Sequence, residues 1–376
     1  MTAVVIIPTY NEKGNIEPMI ETLEKEIFPQ VKNYEMKLLI ADDGSPDGTG
    51  GIVKSYMRKY KNLEIIEGKK EGLGAAYVRA MTYAIEKMGA DVLFEMDCDF
   101  FHDPKKIPDF LKKIDEGYDF VIGTRYSKGG SIPPDWGIHR RIMSVWGNTF
   151  IRFLFSRKGI YDWTGGYRAI KKEVFLKEKD KLKEFTGYTF QVGFLYNAVI
   201  DGYKTAEVPF KAKDRTKGKS KIPGAETIAK TLMFVIQVRA KEVFYGPFGK
   251  FLVVGGIGFI LQAVILRTLV DVLKYNPSIA NLLGAVVAIF SNYNLNNLWT
   301  FKTEKINGFA QYLWKMLHFY ATSAVGVIFI QTGVIFLGDQ FLGRKYYFIY
   351  FLAGTAILLV YNFTVYRFII WRKKPQ

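Results

Sequence analysis

The sequence predicts an α/β protein, a doubly wound and mainly parallel sheet covered by helices, followed by an all-α transmembrane domain. Up to about residue 125, short apolar runs of strand length alternate with segments whose apolar residues recur at helical spacing. That alternation is typical of a parallel sheet covered by helices. From about residue 248 the apolar segments become long enough to cross a bilayer. At 376 residues, the chain can form two or three domains.

The first part of the chain contains five predicted strands, and polar motifs follow the first four of them. The strands are expected at residues 4–7, 37–41, 63–66, 92–96 and 120–122. The helices between them are expected at residues 16–28, 49–60, 75–88 and 105–116. Ligands of such sheets bind at the carboxyl ends of the strands. The polar residues that follow the strands are therefore the candidate functional residues.

Two acidic pairs stand at predicted strand ends. The first strand runs into Pro-Thr-Tyr-Asn-Glu at residues 8–12, the second into Asp-Asp-Gly-Ser at residues 42–45, and the fourth into Asp-Cys-Asp at residues 97–99. In an extended segment Asp97 and Asp99 would project to the same side, where carboxylate oxygens suit Mg²⁺ or Mn²⁺. Taken alone, an Asp-x-Asp is more often a solvated turn at a strand end. The neighbouring motifs favour a nucleotide whose phosphates are held by a metal.

Composition narrows the class of protein. Lys and Arg total 52 against 36 Asp and Glu, and the resulting charge of +16 favours an anionic partner. Aromatic residues cluster beside the long apolar segments, which points to a membrane rather than to nucleic acid. The single cysteine, Cys98, excludes an intramolecular disulfide and a cysteine-rich zinc site. The glycine-rich dinucleotide fingerprint and the phosphate-binding P-loop are both missing from the sequence, which counts against an oxidoreductase or a P-loop NTPase.

These motifs resemble the signature of the family 2 glycosyltransferases with the GT-A fold. Within that family, the chain is similar to the dolichol/polyprenyl-phosphate mannose synthases over about residues 3–225. Further matching segments lie at residues 72–74, 100–104, 123–126, 162–168, 187–191, 207–210 and 214–221. Two residues depart from the family pattern, Cys98 in place of the usual Ala and Lys219 in place of a frequent Glu.

The resemblance implies roles for the matched residues. Asp43 would accept hydrogen bonds from the base of the donor nucleotide, in a pocket also lined by Pro8, Tyr10, Glu12 and Asp97. The metal, Mg²⁺ or Mn²⁺, would bind Asp97 and Asp99. The phosphate of the lipid acceptor would bind to Arg125, Arg140 and Arg215, with Lys221 nearby. The forked guanidinium group of arginine fits two phosphate oxygens at once. The residues implied in catalysis are Asp99, Arg125 and Arg140.

The implied reaction transfers mannose from GDP-mannose to dolichyl or polyprenyl phosphate. The acceptor phosphate is already anionic near neutral pH, so an in-line, inverting displacement needs no general base, while the metal stabilises the departing diphosphate. His102 is interpreted as a turn or supporting residue. The alternatives are a polyprenyl-phosphate glucosyl- or hexosyltransferase that uses a UDP-sugar, and a lipid-linked-sugar flippase formed by the membrane half. Nucleic-acid binding is disfavoured because no binding module is recognisable.

The predicted domains are a cytosolic catalytic domain at residues 1–225, an amphipathic juxtamembrane helix at 226–247 and a membrane domain at 248–376. Spans are expected at about residues 248–273, 278–298, 312–337 and 346–370. The Asn-rich segment at residues 292–301 resembles the GtrA-like four-helix membrane family. The first apolar run is too short for a signal peptide, and the Lys and Arg distribution between spans puts both termini in the cytosol.

One segment of the catalytic half allows two interpretations. Residues 137–155 alternate apolar and aromatic residues with arginines at helical spacing. The segment is either an ordinary amphipathic helix on the sheet or an interfacial helix whose aromatic side chains enter lipid. The sequence leaves the oligomeric state open.

Overall fold

The structure, a computed structural model, describes residues 1–157, 159–185, 187–213, 225–275, 277–343 and 347–372. The chain divides into two compact units, Met1–Gln237 and Val238–Gln376. The domain boundaries expected at residues 225 and 247 stay predictions. Two of the predicted phosphate-binding residues, Arg215 and Lys221, lie outside the described residues.

The described part of the first unit contains one seven-stranded sheet in the order β3-β2-β1-β4-β6-β5-β7. Strand β6 runs antiparallel to β4 and β5, and the other neighbours are parallel. The predicted mainly parallel sheet is therefore confirmed. The strands are β1 Thr2–Thr9, β2 Glu35–Asp42, β3 Leu63–Glu67, β4 Val92–Glu95, β5 Phe120–Thr124, β6 Arg168–Lys171 and β7 Thr205–Pro209.

Helices cover both faces of this sheet. Val5 and Ile7 of β1 are buried in one cluster with residues of the first and fourth helices, and strand alternation turns Val4 and Ile6 to the opposite face, where they are also buried. The third helix contacts β1 and β2. The helices are α1 Lys13–Thr22, α2 Thr49–Met57, α3 Leu73–Glu86, α4 Ile107–Asp115, α5 Ile138–Phe155, α6 Lys172–Leu182, α7 Tyr188–Ile200 and α8 Ala225–Tyr245.

Strands β6 and β7 are absent from the sequence-based prediction. Each is only four or five residues long, and β6 begins with Arg168 and ends with Lys171, so only two apolar residues remain to indicate a buried strand. The Arg168 side chain is tolerated there because Glu95 of β4 lies directly opposite it. Both side chains are fully buried, with Arg168 Nε 3.9 Å from Glu95 Oε2, and Arg168 also donates to the backbone oxygens of Gly165 and Gln191. Burial raises the pKa of Glu95 to about 7.

The second unit is helical. Its helices are α9 Pro247–Arg267, α10 Pro277–Leu295, α11 Phe309–Val325, α12 Thr332–Leu342 and α13 Tyr347–Val365. Over the described ranges, one helical segment, Pro247–Val272, meets the length and hydropathy that crossing a membrane requires. The spans expected at residues 278–298, 312–337 and 346–370 stay predictions.

Aromatic packing and one buried amide organise the end of this unit. Tyr293, Phe319 and Trp371 belong to one buried cluster. Asn297 joins two segments there, because its Oδ1 accepts from the Ile306 N–H at 2.8 Å and from Trp371 Nε1 at 3.0 Å. Its Nδ2 donates to the Ile306 carbonyl at 3.2 Å. Asn297 therefore ties the Asn-rich segment to the connection before α11 and to the segment that follows α13.

Replacing Arg168 with Leu should destabilise the first unit, because the carboxylate of Glu95 would remain buried without its cation. Breaking a buried pair from one side costs roughly 3–5 kcal/mol of unfolding free energy. Urea denaturation of the full chain in detergent at pH 8, followed by intrinsic fluorescence, measures the loss. The double variant Glu95→Leu with Arg168→Leu leaves no buried charge and should recover most of it. Equal losses in the single and double variants would show that the two residues are not coupled.

Candidate active site

Asp42 connects the ends of the first two strands. Its Oδ1 accepts from Thr9 Oγ1 at 2.8 Å and from Ser45 Oγ at 2.6 Å, and its Oδ2 accepts from the Ser45 N–H at 2.9 Å. The side chain is buried. Asp42 is therefore a structural residue that fixes the turn after β2, while the neighbouring Asp43 keeps part of its side chain exposed.

The loop between β1 and α1 is held by the loop that follows β2. The N–H of Asn11 donates to Ser45 Oγ at 3.0 Å, and the N–H of Glu12 donates to Thr49 Oγ1 at 3.0 Å. Asn11 has a φ of 59°, in the left-handed region that Asn tolerates. These bonds place Tyr10 and Glu12 in a fixed segment at the carboxyl edge of the sheet.

Asp43 forms an ion pair that its motif does not reveal. Arg79 of α3 lies 2.5 Å from Asp43 Oδ1, and the Asp43 side chain is only 11% exposed. The guanidinium packs against Gly68, where an added Cβ would lie 2.2 Å from Arg79 Cζ. Lys70, from the same loop as Gly68, lies over the ring of Tyr10 at 3.6 Å. Asp43 and Tyr10, which are both predicted to line the nucleotide pocket, therefore each have a cationic neighbour from the segment that follows β3.

The second acidic pair lies in a turn. Strand β4 ends at Glu95, so the expectation that strand alternation directs Asp97 and Asp99 was wrong. Hydrogen bonds of the turn set their positions instead. The Asp97 N–H donates to His102 Nδ1 at 3.0 Å, and Asp99 Oδ1 accepts from the Phe101 N–H at 3.1 Å. Asp99 is 5% exposed, whereas the Asp97 side chain is 37% exposed.

His102 is a packed part of this turn. Its ring stacks on Tyr167 with centroids 5.0 Å apart and meets Phe210 edge to face at 5.9 Å. Because Nδ1 accepts from the Asp97 N–H, the proton of the neutral ring is on Nε2. These contacts agree with the interpretation of His102 as a supporting residue.

The turn that contains Asp97 and Asp99, which we call the acidic turn, has two carboxylates that could hold a metal. Across the parts of the chain that the structure describes, no three His, Cys, Asp or Glu side chains form a candidate metal set. Mg²⁺ commonly binds one or two carboxylates and completes its shell with substrate phosphates and water. Asp97 and Asp99 therefore fit an ion that is shared with a diphosphate better than an ion enclosed by the protein alone.

Arg125 follows β5 and is oriented by a buried carboxylate. Its Nε lies 2.7 Å from Asp162 Oδ2 and its Nη2 2.9 Å from Asp162 Oδ1, and Nη2 also donates to Thr164 Oγ1 at 3.0 Å. Although burial raises the pKa of Asp162, the charge and hydrogen bonds of Arg125 hold it below its usual range. Asp162 stands in a recognised motif, but the sequence alone assigns it no partner.

Two stacked rings, Phe101 and Trp136, each lie against one of the predicted phosphate-binding arginines. We call this pair the aromatic platform; its ring centroids are 5.9 Å apart and its planes are 7° from parallel. Arg140 lies over Trp136 at 3.7 Å, and Arg125 lies near the face of Phe101 at 5.9 Å. Phe101 is two residues after Asp99, so the aromatic platform adjoins the acidic turn.

Two families match the chain. Residues 4–177 match the family described as Glycosyl transferase family 2. Residues 250–371 match the family described as GtrA/DPMS, transmembrane domain. The two matches correspond to the two kinds of architecture expected from the sequence, and they confirm the resemblance read from the motifs.

Curated relatives match over most of their length. The polyprenol monophosphomannose synthase of Mycolicibacterium smegmatis is 37% identical over 223 residues, 59% of this chain and 81% of that protein. The dolichol-phosphate mannosyltransferase of Pyrococcus furiosus is 30% identical over 375 residues, 99% of both chains. A crystal structure of glucosyl-3-phosphoglycerate synthase from Mycobacterium tuberculosis, with Mn²⁺, UDP and glucosyl-3-phosphoglycerate, is 18% identical at a TM-score of 0.46, covering 63% of this chain and 79% of that one.

The family 2 match covers strands β1 to β6 and the acidic turn, and the chain also carries the transmembrane domain of the second family. The Pyrococcus relative has the same extent from end to end. The chain therefore belongs to the dolichol/polyprenyl-phosphate mannosyltransferase family, the family 2 glycosyltransferases that it resembles in sequence.

Proposed function

We propose that this protein transfers mannose from GDP-mannose to a dolichyl or polyprenyl phosphate, giving polyprenyl-phosphate mannose and GDP. The observation that carries the proposal is the placement of Arg125 and Arg140 on the aromatic platform beside the acidic turn. The carboxylates of the acidic turn are suited to a metal-bound nucleotide diphosphate, and the two arginines are suited to a second phosphate. The end-to-end likeness to a dolichol-phosphate mannosyltransferase supports the same reaction.

On the donor side, Asp43 accepts hydrogen bonds from the base, and Pro8, Tyr10 and Glu12 line the rest of the nucleotide pocket. Asp97 and Asp99 hold Mg²⁺ or Mn²⁺, which when bound acts as a Lewis acid for the departing diphosphate. The turn is already ordered by the hydrogen bonds of Asp99 and His102, so little rearrangement is needed when the diphosphate binds.

On the acceptor side, the guanidinium groups of Arg125 and Arg140 bind the lipid phosphate and align one of its oxygens behind the anomeric carbon. The phosphate oxygen forms the new bond to that carbon as the bond to GDP breaks, so the anomeric centre is inverted. Arg215 and Lys221 belong to the same proposed set by their motif. The phosphate brings its own negative charge, so His102 has no role as a base.

The second unit associates the enzyme with a membrane, where its lipid acceptor lies, because residues 250–371 match a transmembrane domain. We place the catalytic domain and both termini on the cytosolic side, following the distribution of Lys and Arg between the predicted spans. The four spans and the juxtamembrane helix at residues 226–247 remain part of this proposal.

The donor is tested with purified full-length protein, a short polyprenyl phosphate, and either GDP-mannose or UDP-glucose. We expect nucleotide release and a mannosylated lipid with GDP-mannose, and loss of turnover when a chelator removes divalent ions. Addition of Mg²⁺ or Mn²⁺ should restore it. Turnover with UDP-glucose alone would replace the mannose proposal with the hexosyltransferase alternative. Full activity in the chelator would rule out the metal.

Replacing Asp99 with Asn, or Asp97 with Asn, should lower kcat by about 100-fold or more, because a carboxylate that holds the ion is lost. Asp109→Asn is the matched control, since this carboxylate pairs with Lys106 on the surface of α4. The sugar-transfer rate is measured over a range of Mn²⁺ concentrations. An unchanged metal requirement in both turn variants would remove these residues from the metal site.

Replacing Arg125 with Lys, or Arg140 with Leu, should raise KM for the lipid phosphate about 10- to 100-fold, as expected for losing hydrogen bonds from a charged group. KM for GDP-mannose should change little. Arg141→Leu is the matched control, because Arg141 is the exposed neighbour of Arg140 on α5. Equal effects on the two KM values would argue against an acceptor-phosphate site at the aromatic platform.

A further inference from the structure

The segment at residues 161–164, which we call the Asp162 loop, is held on one side by α5. Asn148 of α5 is 2% exposed and makes two hydrogen bonds to the backbone of this loop. Its Nδ2 donates to the Tyr161 carbonyl at 2.5 Å, and its Oδ1 accepts from the Trp163 N–H at 2.9 Å. A side-chain amide that pairs with both a carbonyl and an N–H fixes the loop in position and direction.

The same loop is held on its other side by β7. Glu207 Oε1 accepts from the N–H of Tyr161 at 2.5 Å and from the N–H of Asp162 at 2.9 Å. Glu207 lies opposite Ile122 of β5, the strand that Arg125 follows. Burial, together with the charge of Asp162, raises the pKa of Glu207 to about 7.

The position of the loop matters to the site because Asp162 and Thr164 hold Arg125. The guanidinium of Arg125 donates to Asp162 through Nε and Nη2, so the position of the carboxylate sets the position of the guanidinium. The helix that supplies Asn148 also supplies Arg140, two turns earlier. Asn148 thus links the helix that carries one arginine to the loop that orients the other.

We propose that Asn148 and Glu207 are positioning residues for the lipid phosphate, which fix the Asp162 loop and thereby hold Arg125 in place relative to Arg140. The proposal rests on the proposed function, in which these two arginines bind that phosphate. Two guanidinium groups bind one phosphate well only at a fixed separation and orientation. Loss of either positioning residue therefore weakens acceptor binding, although neither residue contacts the acceptor.

The test compares KM for a short polyprenyl phosphate with KM for GDP-mannose in full-length Asn148→Ala and Glu207→Ala variants. We expect about a ten-fold rise in KM for the lipid phosphate, and less than a two-fold change for GDP-mannose. Glu207→Gln should retain nearly normal values, because its amide oxygen can accept the same two N–H bonds. If an alanine variant does not fold, Asn148→Asp and Glu207→Asp test the same bonds with smaller changes.

Asp119→Ala is the matched control. Asp119 precedes β5 at the end of the strand away from Arg125, and it accepts from the Lys204 N–H and from Lys171 Nζ, both at 2.9 Å. This variant should lower Tm by a similar amount without a selective rise in KM for the lipid phosphate. If Asn148→Ala and Glu207→Ala behave like it, the two residues serve stability alone and the proposal is wrong.

The Arg125→Lys variant distinguishes a failure of the acceptor site from a failure of the positioning role. If it raises KM for the lipid phosphate but the Asn148 and Glu207 variants do not, the positioning role is overturned and the acceptor site stands. If Arg125→Lys itself leaves that KM unchanged, the acceptor site and the positioning role are both overturned. A selective rise in all three variants, with Glu207→Gln near normal, supports both.

Discussion

The parallel pairing of β1 with β2 and β4 is the constraint on which the site depends. In this register Thr9 lies beside Asp42, and Ile6 lies beside Glu95, so the strands end at one edge of the sheet. The turns that follow must then pack against each other, and their polar side chains satisfy the backbone groups left over at the strand ends. Asp42 does this for the first two strands, while the acidic turn around Asp99 is held mainly by its own hydrogen bonds.

Arginine–carboxylate pairs recur around this edge, with different consequences according to burial. Glu95 and Arg168 are both fully buried, so they fix the pairing of β4 with β6 and have no access to a ligand. The Arg125 side chain is 10% exposed while its partner Asp162 is fully buried. A buried carboxylate therefore orients a cation that still reaches the surface. Such a pair, with a buried carboxylate and a partly exposed guanidinium, suits an enzyme whose proposed substrates are both phosphorylated.

Much of the fold follows from local patterns. Strands β1 to β5 were predictable because their buried apolar runs are bounded by turn residues, and the family could be recognised because the polar motifs keep their order and spacing. Strand β6 was not predictable, since only two apolar residues lie between its charged ends, and the burial of Arg168 is explained by Glu95 on another strand. Arg79 was missed for a similar reason: no motif surrounds it, and its meaning comes from Asp43, to which it is bonded across 36 residues of chain.

The sequence by itself determined the α/β class, the family and the residue types that meet at the site, because periodicity and motif spacing are local properties of the chain. The tertiary structure decided the burial and the partners of each aspartate in these motifs. It buried Asp42 in the turn after β2, paired Asp43 with Arg79, placed Asp97 and Asp99 in a turn, and gave Arg125 its buried partner. Each of these outcomes depends on strand register and loop packing between distant segments, which no local pattern encodes.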